Sequence, residues 1–384
     1  MTAGAAPDAV VIGAGVVGAA CAEALSAGGL RVLVLDAGFA GGGTTGAGMG
    51  HITVMDDSPA QLALTTWSRA RWAELAREMP PSCEDTRAGT LWVAASAAEM
   101  DAVRAKHASY ARAGVASEVL DAASLAEAEP SLRAGLAGAL RVPDDRIIYQ
   151  PAVARWLLER AVARGSTVRE RCDVVSVASG TVVIRGERGD KGTSERIACG
   201  VIVNAAGIDA PRLTPGLAVA PRKGHLVITE RQAGVCHHQL VELGYLASAH
   251  TMTAESTAFN VQPRPTGQLL IGSSRELVGR DASVNRRVLA RMLARAIEFI
   301  PSLADAVALR VWTGFRPATP DSLPLIGAWP GARGVWVAAG HEGLGITTAP
   351  GTAAIVAAGI LGTASPLDAT PFDPARAMPE ATAA

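Results

Sequence analysis

Cysteine is sparse and scattered. Cys21, Cys83, Cys172, Cys199 and Cys236 show no CxxC spacing, which speaks against a zinc site or an iron–sulfur cluster held by this chain and suits a reducing compartment. Excess charge is lacking too: 35 Lys and Arg stand against 36 Asp and Glu, for a net charge of −1. No electrostatic case for binding nucleic acid or an anionic membrane follows from that balance. No basic stretch precedes the first apolar run, and Val10 to Gly18 has the form of a strand and turn rather than of a signal peptide. The most apolar late segment, Ile346 to Leu361, is interrupted by Pro350, Gly351 and Gly359 and is too short to span a bilayer, so no transmembrane segment is expected. Metal-ligating clusters are missing as well; His237 and His238 are adjacent, which on a strand would place them on opposite faces. What remains is a cytoplasmic enzyme or enzyme subunit. With 49% hydrophobic and 18% charged residues over 384 positions, it has the composition of a well-buried α/β protein of two or three domains at roughly 150 residues each.

Glycine, by contrast, is placed with purpose. Ala9 to Ile12 reads as a strand buried on both faces, and Gly13, Gly15 and Gly18 follow in GxGxxG spacing. A helix-period segment then runs to about Ser26, Gly28-Gly29 ends it, and a second strand from Arg31 to Leu35 finishes at Asp36. Each part of this βαβ unit has a task. Gly13 makes the tight turn, Gly15 admits a pyrophosphate close to the backbone, and Gly18 lets helix and strand pack. The helix start at Val16 and Val17 offers N–H groups to phosphate, and Asp36, with Ala37 beside it, can accept hydrogen bonds from a ribose. The motif alone does not separate FAD from NAD.

The next stretch, Gly41 to Gly50, holds Gly43, Thr44, Thr45, Gly48 and Met49 and is too rich in glycine to form a stable element on its own. A loop that can wrap a ligand, with Thr hydroxyls and backbone amides as donors, is expected there, and it favours a flavin over a nicotinamide. Val201 to Gly207 reads as another buried strand ending in small residues, Ala205, Ala206 and Gly207. Val335 to Gly340 repeats the pattern and leads through His341, Gly343, Leu344 and Gly345 into Ile346 and a helix from about Thr347. A turn into a helix N-terminus suits negative charge, such as that on the N1–C2=O edge of a reduced flavin.

On the motifs VIGAGVVG, GTTGAGMG, VIVNAAGIDA, GFRPATPDSLPLIG and GHEGLGITTAP, the sequence resembles the FAD-dependent D-amino-acid oxidase superfamily, over about Asp8 to Pro374. Within it, Gly48 to Ser68 is most similar to the β subunit of bacterial D-hydroxyproline dehydrogenase and close to a subunit of hydrogen cyanide synthase. The resemblance implies an α/β fold in which a Rossmann-like FAD-binding domain is interleaved with an α+β substrate domain built on an antiparallel sheet. Residues 1–83, 142–219 and 318–384 would form the first, and 84–141 and 220–317 the second. Strands Gly224 to Glu230 and Leu269 to Ser273 would floor the pocket, and helices near Ala98–Ala113 and Arg286–Phe299 would cover it.

The resemblance also implies a chemistry. The arginine of the G-[LF]-R-P motif in this family pairs bidentately with the substrate's carboxylate, which assigns Arg316 to substrate and to the flavin-facing wall. Tyr245 falls where related oxidases place a substrate-facing tyrosine. His51 lies near a position that some relatives use for covalent attachment, but farther from the Thr pair, so the FAD is expected to be non-covalent. Val174 and Val175 complete the expected cofactor set, and Asp321 is read as a turn-former. The implied reaction is hydride transfer from the Cα of a small D-amino or cyclic imino acid to flavin N5, giving an imine, with a dehydrogenase preferred over an oxidase. Partner subunits carrying further redox centres are implied by the dehydrogenase resemblance. A glycine- or sarcosine-type oxidase using oxygen, and a non-catalytic FAD-bearing subunit, stand as alternatives.

Overall fold

Short runs of Val, Ile, Leu and Ala build the central sheet of the computed structural model, which describes residues 6–185, 194–244 and 255–377. Its six strands run, edge to edge, Leu325–Ala328, Val335–Ala339, Val201–Asn204, Ala9–Ile12, Val32–Leu35 and Thr167–Arg169. All neighbours are parallel except the first pair. Because alternate side chains leave a strand on opposite faces, an all-apolar run means that both faces are covered. On one face Ala9, Val11, Val34 and Val203 pack under helices Val16–Ala27, Gln150–Val162 and Gly345–Leu361. On the other, Val10, Ile12, Leu33 and Ile202 lie beneath a three-stranded antiparallel sheet formed by Asp173–Ala178, Thr181–Arg185 and Ser194–Ala198.

Helix Gly345–Leu361 carries Pro350 in its interior. Proline has no N–H, so the carbonyl of Ile346 four residues earlier loses its helical donor. The Gly351 N–H is diverted to Ser68 Oγ at 3.1 Å, which frees the carbonyl of Thr347. A single buried group answers both vacancies: Trp72 Nε1 donates to the carbonyls of Ile346 and Thr347, each at 3.0 Å. The proline that argues against a membrane span is thus tied to the helix Pro59–Leu75 packed against it.

The second sheet has eight strands in the order Ala308–Ala318, Ala220–Arg231, Gln268–Glu276, Glu255–Pro263, Gln239–Glu242, Thr90–Ala94, Gly138–Val142 and Glu118–Asp121. It is antiparallel apart from one parallel junction, Gln239–Glu242 with Thr90–Ala94, so the fold is α/β with mixed sheets. The two strands expected at the pocket floor pair antiparallel, Val227 opposite Ile271.

Two expectations fail. Helix Arg286–Phe299 does not cover the pocket: it packs on Val227, Phe259, Val261 and Ile271, with Phe299 stacked on Phe259 at 4.3 Å. Those residues alternate with Gly224, Leu226 and Asn260, which face the cleft, so the helix sits on the far side of the sheet. Helix Ala97–Arg112 lies over Trp92, Leu140 and Val142, away from the cleft lining. His237 and His238 precede a strand rather than lying in one, and both imidazoles turn to the buried Glu129. Among the described residues, no helix is long and apolar enough to cross a membrane.

Candidate active site

Between the two sheets lies a cleft of about 560 Å³. One end is built on the first βαβ unit. Gly13 adopts φ +106°, and a Cβ there would meet the Ala205 carbonyl oxygen at 2.5 Å. A Cβ on Gly18 would lie 1.9 Å from the Gly13 oxygen, so turn and helix touch backbone to backbone. Gly15 lines the cleft and has a second task besides the expected one. It leaves room for the Thr45 hydroxyl, whose Oγ1 accepts the Val16 N–H at 3.0 Å, and that first-turn donor is therefore not open to a phosphate. Asp36 is held by the N–H groups of Ala14 and Gly38, one to each carboxylate oxygen at 2.7 Å. A carboxylate oxygen accepts more than one hydrogen bond, so capacity remains towards the cleft that Asp36 lines.

The glycine-rich stretch is not a loose loop. Gly43–Gly46 forms one helical turn, because side chains from elsewhere satisfy its backbone. Gln150 Nε2 donates to the carbonyls of Thr45 and Gly48 at 3.0 and 2.8 Å, and Gln262 Nε2 donates to that of Met49 at 2.6 Å. The Thr44 hydroxyl, expected to face a ligand, donates instead to the Phe315 carbonyl at 2.7 Å. The stretch is thereby clamped to the strand that carries Arg316. Gly50, at φ +96°, has the Ile148 oxygen only 2.0 Å from where a Cβ would stand.

Arg316 reaches into the cleft between two glycines. A Cβ on Gly224 would lie 2.6 Å from its Nη1, and one on Gly343 would lie 3.8 Å from its Nε. Nη1 donates to the Ser274 carbonyl at 2.9 Å, which fixes one arm of the fork. Beside it stands Glu342, a residue the sequence motif contains but did not single out. It lies 3.7 Å from Arg222 Nη1 and 3.4 Å from Arg275 Nε. Burial would raise its pKa, but the charges of Arg275, Arg316 and Arg222 overcome this and hold the carboxyl below the usual range. Arg275, Arg316 and Arg222 thus all act on Glu342 at this end of the cleft, where Arg316 can meet an anionic substrate group.

Both histidines of the lining are neutral. Burial pushes His51 and His341 down to about 3; His341 Nε2 pairs with Thr352 Oγ1 at 2.9 Å, and His51 Nδ1 pairs with Gln239 Nε2 at 2.6 Å. An amide N–H can only donate, so the His51 ring proton belongs on Nε2.

Of the remaining expected residues, Val17, Ala37, Val174, Ala206, Gly207, Gly345 and Ile346 line the cleft. Val175, Gly340, Leu344 and Thr347 do not. Val175 follows Val174 on a strand and alternates away from it. Gly340 supports the turn at φ +78° under Thr319. Leu344 packs against the cluster around Trp92, and Thr347 Oγ1 donates to the His51 carbonyl while accepting the Thr53 N–H. Tyr245 lies outside the described residues. Asp321 accepts the Leu323 N–H and pairs with Arg376, as a turn-former does. Asn260 and Ser273, which no sequence motif marks, also line the cleft.

The model of the family described as FAD-dependent oxidoreductase, DAO, matches residues 8–358. The chain belongs to this family. Glycine oxidase of Pseudomonas aeruginosa is 28% identical over 389 residues, covering 95% of this chain and 98% of that protein. A hydrogen cyanide synthase subunit of the same species, HcnC, is 29% identical over 424 residues, covering 98% and 97%. The crystal structure of glycine oxidase from Geobacillus kaustophilus superimposes with a TM-score of 0.84 at 26% identity, covering 96% of this chain and 98% of that one. L-Proline dehydrogenase from P. horikoshii shares the fold, with a TM-score of 0.84 at 22% identity over 96% of this chain and 97% of that one. This DAO chain is accordingly an FAD-dependent oxidoreductase. Its residues fit the cofactor: the glycine cradle that any Cβ would fill, the acceptor capacity of Asp36 and the cleft running from there to Arg316 match an elongated dinucleotide.

Proposed function

We propose that this chain oxidises a small D-amino or cyclic imino acid of the D-hydroxyproline type. In this reading FAD is held non-covalently in the cleft, and the electrons pass to an acceptor other than oxygen. When bound, FAD would supply the two-electron acceptor for the hydride on the substrate's Cα, so that the substrate is released as an imine that water hydrolyses. The chain's own residues supply position and field. Arg316 orients the substrate's carboxylate, with Nη1 pinned to the Ser274 carbonyl and the rest of the fork directed to the cleft. The glycines on both sides of the guanidinium leave its faces clear. Neither His51 nor His341 carries charge near neutral pH, so no protonated histidine repels an amine; no strong general base is then required where the amine enters neutral. Residues 1–83, 142–219 and 318–384 would form the FAD-binding part in the cytoplasmic enzyme, and 84–141 with 220–317 the substrate-binding part. Similarity to the hydrogen cyanide synthase subunit favours partner subunits, and the resemblance to the dehydrogenase β subunit adds further redox centres on them.

The observation that carries this reading is the Arg316 fork at the junction of the two sheets. A glycine oxidase-type reaction with oxygen is the second reading, favoured by the identity to glycine oxidases. Anaerobic mixing with cis-4-hydroxy-D-proline, D-proline, sarcosine and glycine tests both through the flavin absorbance. Loss of colour with a cyclic imino acid, and slow return of colour in air, supports the first. Loss with glycine or sarcosine and rapid return supports the second.

A further inference from the structure

Opposite Arg316, the floor of the cleft presents polar atoms that have nothing to bind. Asn260 Oδ1 and Ser273 Oγ are buried, belong to residues that line the cleft, and have no hydrogen-bond partner. Just beyond them Gln262 Oε1 and Gln239 Oε1 are unpartnered too. The donor ends of these two glutamines are already used, on the Met49 carbonyl and on His51 Nδ1, so what they offer is carbonyl oxygen. Of these, the Asn260 amide oxygen and the Ser273 hydroxyl belong to the cleft lining itself. Buried acceptors left unmade are unfavourable, and a group that brings a hydrogen-bond donor relieves them.

The positions fit a bound amino acid. Arg316 Nη1 reaches the Ser274 carbonyl, so the guanidinium lies over the strand that carries Ser273. Asn260, opposite Gly272 in register, stands one strand farther, about 4.8 Å away. Gly272 adds no side chain, and Met49 Sδ and Leu226 Cδ2 lie 3.1 and 2.9 Å from where its Cβ would be. A molecule anchored by its carboxylate on Arg316 and lying across these strands sets its far side over Asn260, between apolar walls.

We infer that Asn260 and Ser273 form an acceptor subsite that selects amino or imino acids bearing a hydroxyl remote from the carboxylate. This rests on the proposed function, since it takes the carboxylate anchor at Arg316 as given. A hydroxyl supplies the donor that the amide oxygen lacks, and an unsubstituted ring leaves that oxygen buried and unpaired, the situation in which polar sites discriminate most strongly.

The test uses the flavin-loaded protein and two readouts. The first is the anaerobic rate of flavin reduction by cis-4-hydroxy-D-proline and by D-proline. The second is calorimetric binding of cyclopentanecarboxylate and its cis-3-hydroxy derivative, which carry the same groups and no oxidisable amine. The wild type should favour the hydroxylated member of each pair by roughly ten-fold or more. Asn260→Leu should bring both ratios towards one by weakening the hydroxylated member alone, and Ser273→Ala should do so in part. Should Asn260→Leu fail to fold, Ser273→Ala, which removes a single oxygen, carries the same comparison. Ratios unchanged by the substitutions overturn the inference and leave the proposed function standing. If neither proline reduces the flavin and neither carboxylate binds, the anchor itself is wrong, and both fall together.

Discussion

Gly224→Ala separates the positioning of Arg316 from the stability of the fold. Gly224 is the strand residue over which the guanidinium lies; an added Cβ would stand 2.6, 2.9 and 3.0 Å from Nη1, Nη2 and Cζ. Comfortable separation is about 3.5–4.0 Å, so the fork must retreat by roughly 1 Å, and it is the mobile end of a long side chain that gives way rather than backbone. The melting temperature should therefore change little. Binding should change much more. A misplacement of about 1 Å at an orienting group can cost on the order of a hundred-fold in rate, and one charge-assisted hydrogen bond is worth about 1.5–3 kcal/mol, or roughly ten- to a hundred-fold. Stopped-flow flavin reduction should show kcat/KM falling by that factor, with the protein still yellow. Wild-type kcat/KM in Gly224→Ala would refute the assignment of Arg316. A melting temperature that collapses in parallel would show that the glycine serves packing instead.

Thr45→Val keeps the shape of the side chain and removes the acceptor of the Val16 N–H. Leaving that donor unmet should cost about 1–3 kcal/mol, seen as a lower urea midpoint, while Thr45→Ser should stay near the wild type. Trp72→Phe withdraws the one donor shared by the Ile346 and Thr347 carbonyls and should destabilise by a few kcal/mol, on the order of the sum of a lost hydrogen bond and reduced packing; a midpoint equal to the wild type would refute the account of Pro350. His341 has its pKa lowered by burial from 6.5 to about 3. Between those values the unfolded chain binds a proton that the fold refuses, so this residue's contribution is full above pH 6.5 and is lost as pH falls, by up to ~1.4 kcal/mol per unit. Stability measured at pH 5 and pH 7 should differ less in His341→Gln than in the wild type.

What the sequence made legible was local in the chain. Gly13, Gly18 and Asp36 follow one another within a single βαβ unit, and the contacts of Gly18 with Gly13 and of Asp36 with Ala14 lie inside it, whereas the Ala205 carbonyl that presses on Gly13 comes from a distant strand. Arg316 was legible because proline and glycine flank it in a fixed motif. The task of Thr45 was not, because its partner Val16 lies 29 residues away and the motif does not encode which hydroxyl fills the space Gly15 leaves. Asn260 and Ser273 look like any polar residues on a strand; only the assembled sheet shows that both line the cleft. Nor did the sequence place helix Arg286–Phe299 on the far face, since an amphipathic helix fits either side of a sheet. Around His341 the chain passes from strand through turn to helix, and no single period indicates that Gly340, Leu344 and Thr347 face elsewhere.

The central claim is that Arg316 anchors the substrate's carboxylate beside a bound flavin. Anaerobic reduction of the flavin by cis-4-hydroxy-D-proline, D-proline, sarcosine and glycine, in the wild type and in Arg316→Lys, tests it most directly. The account predicts that at least one of these bleaches the wild-type flavin, and that Arg316→Lys binds FAD equally well yet needs far more substrate for the same rate, because an ammonium cannot reproduce the paired hydrogen bonds. Equal rates at equal substrate concentration in the two proteins would contradict it.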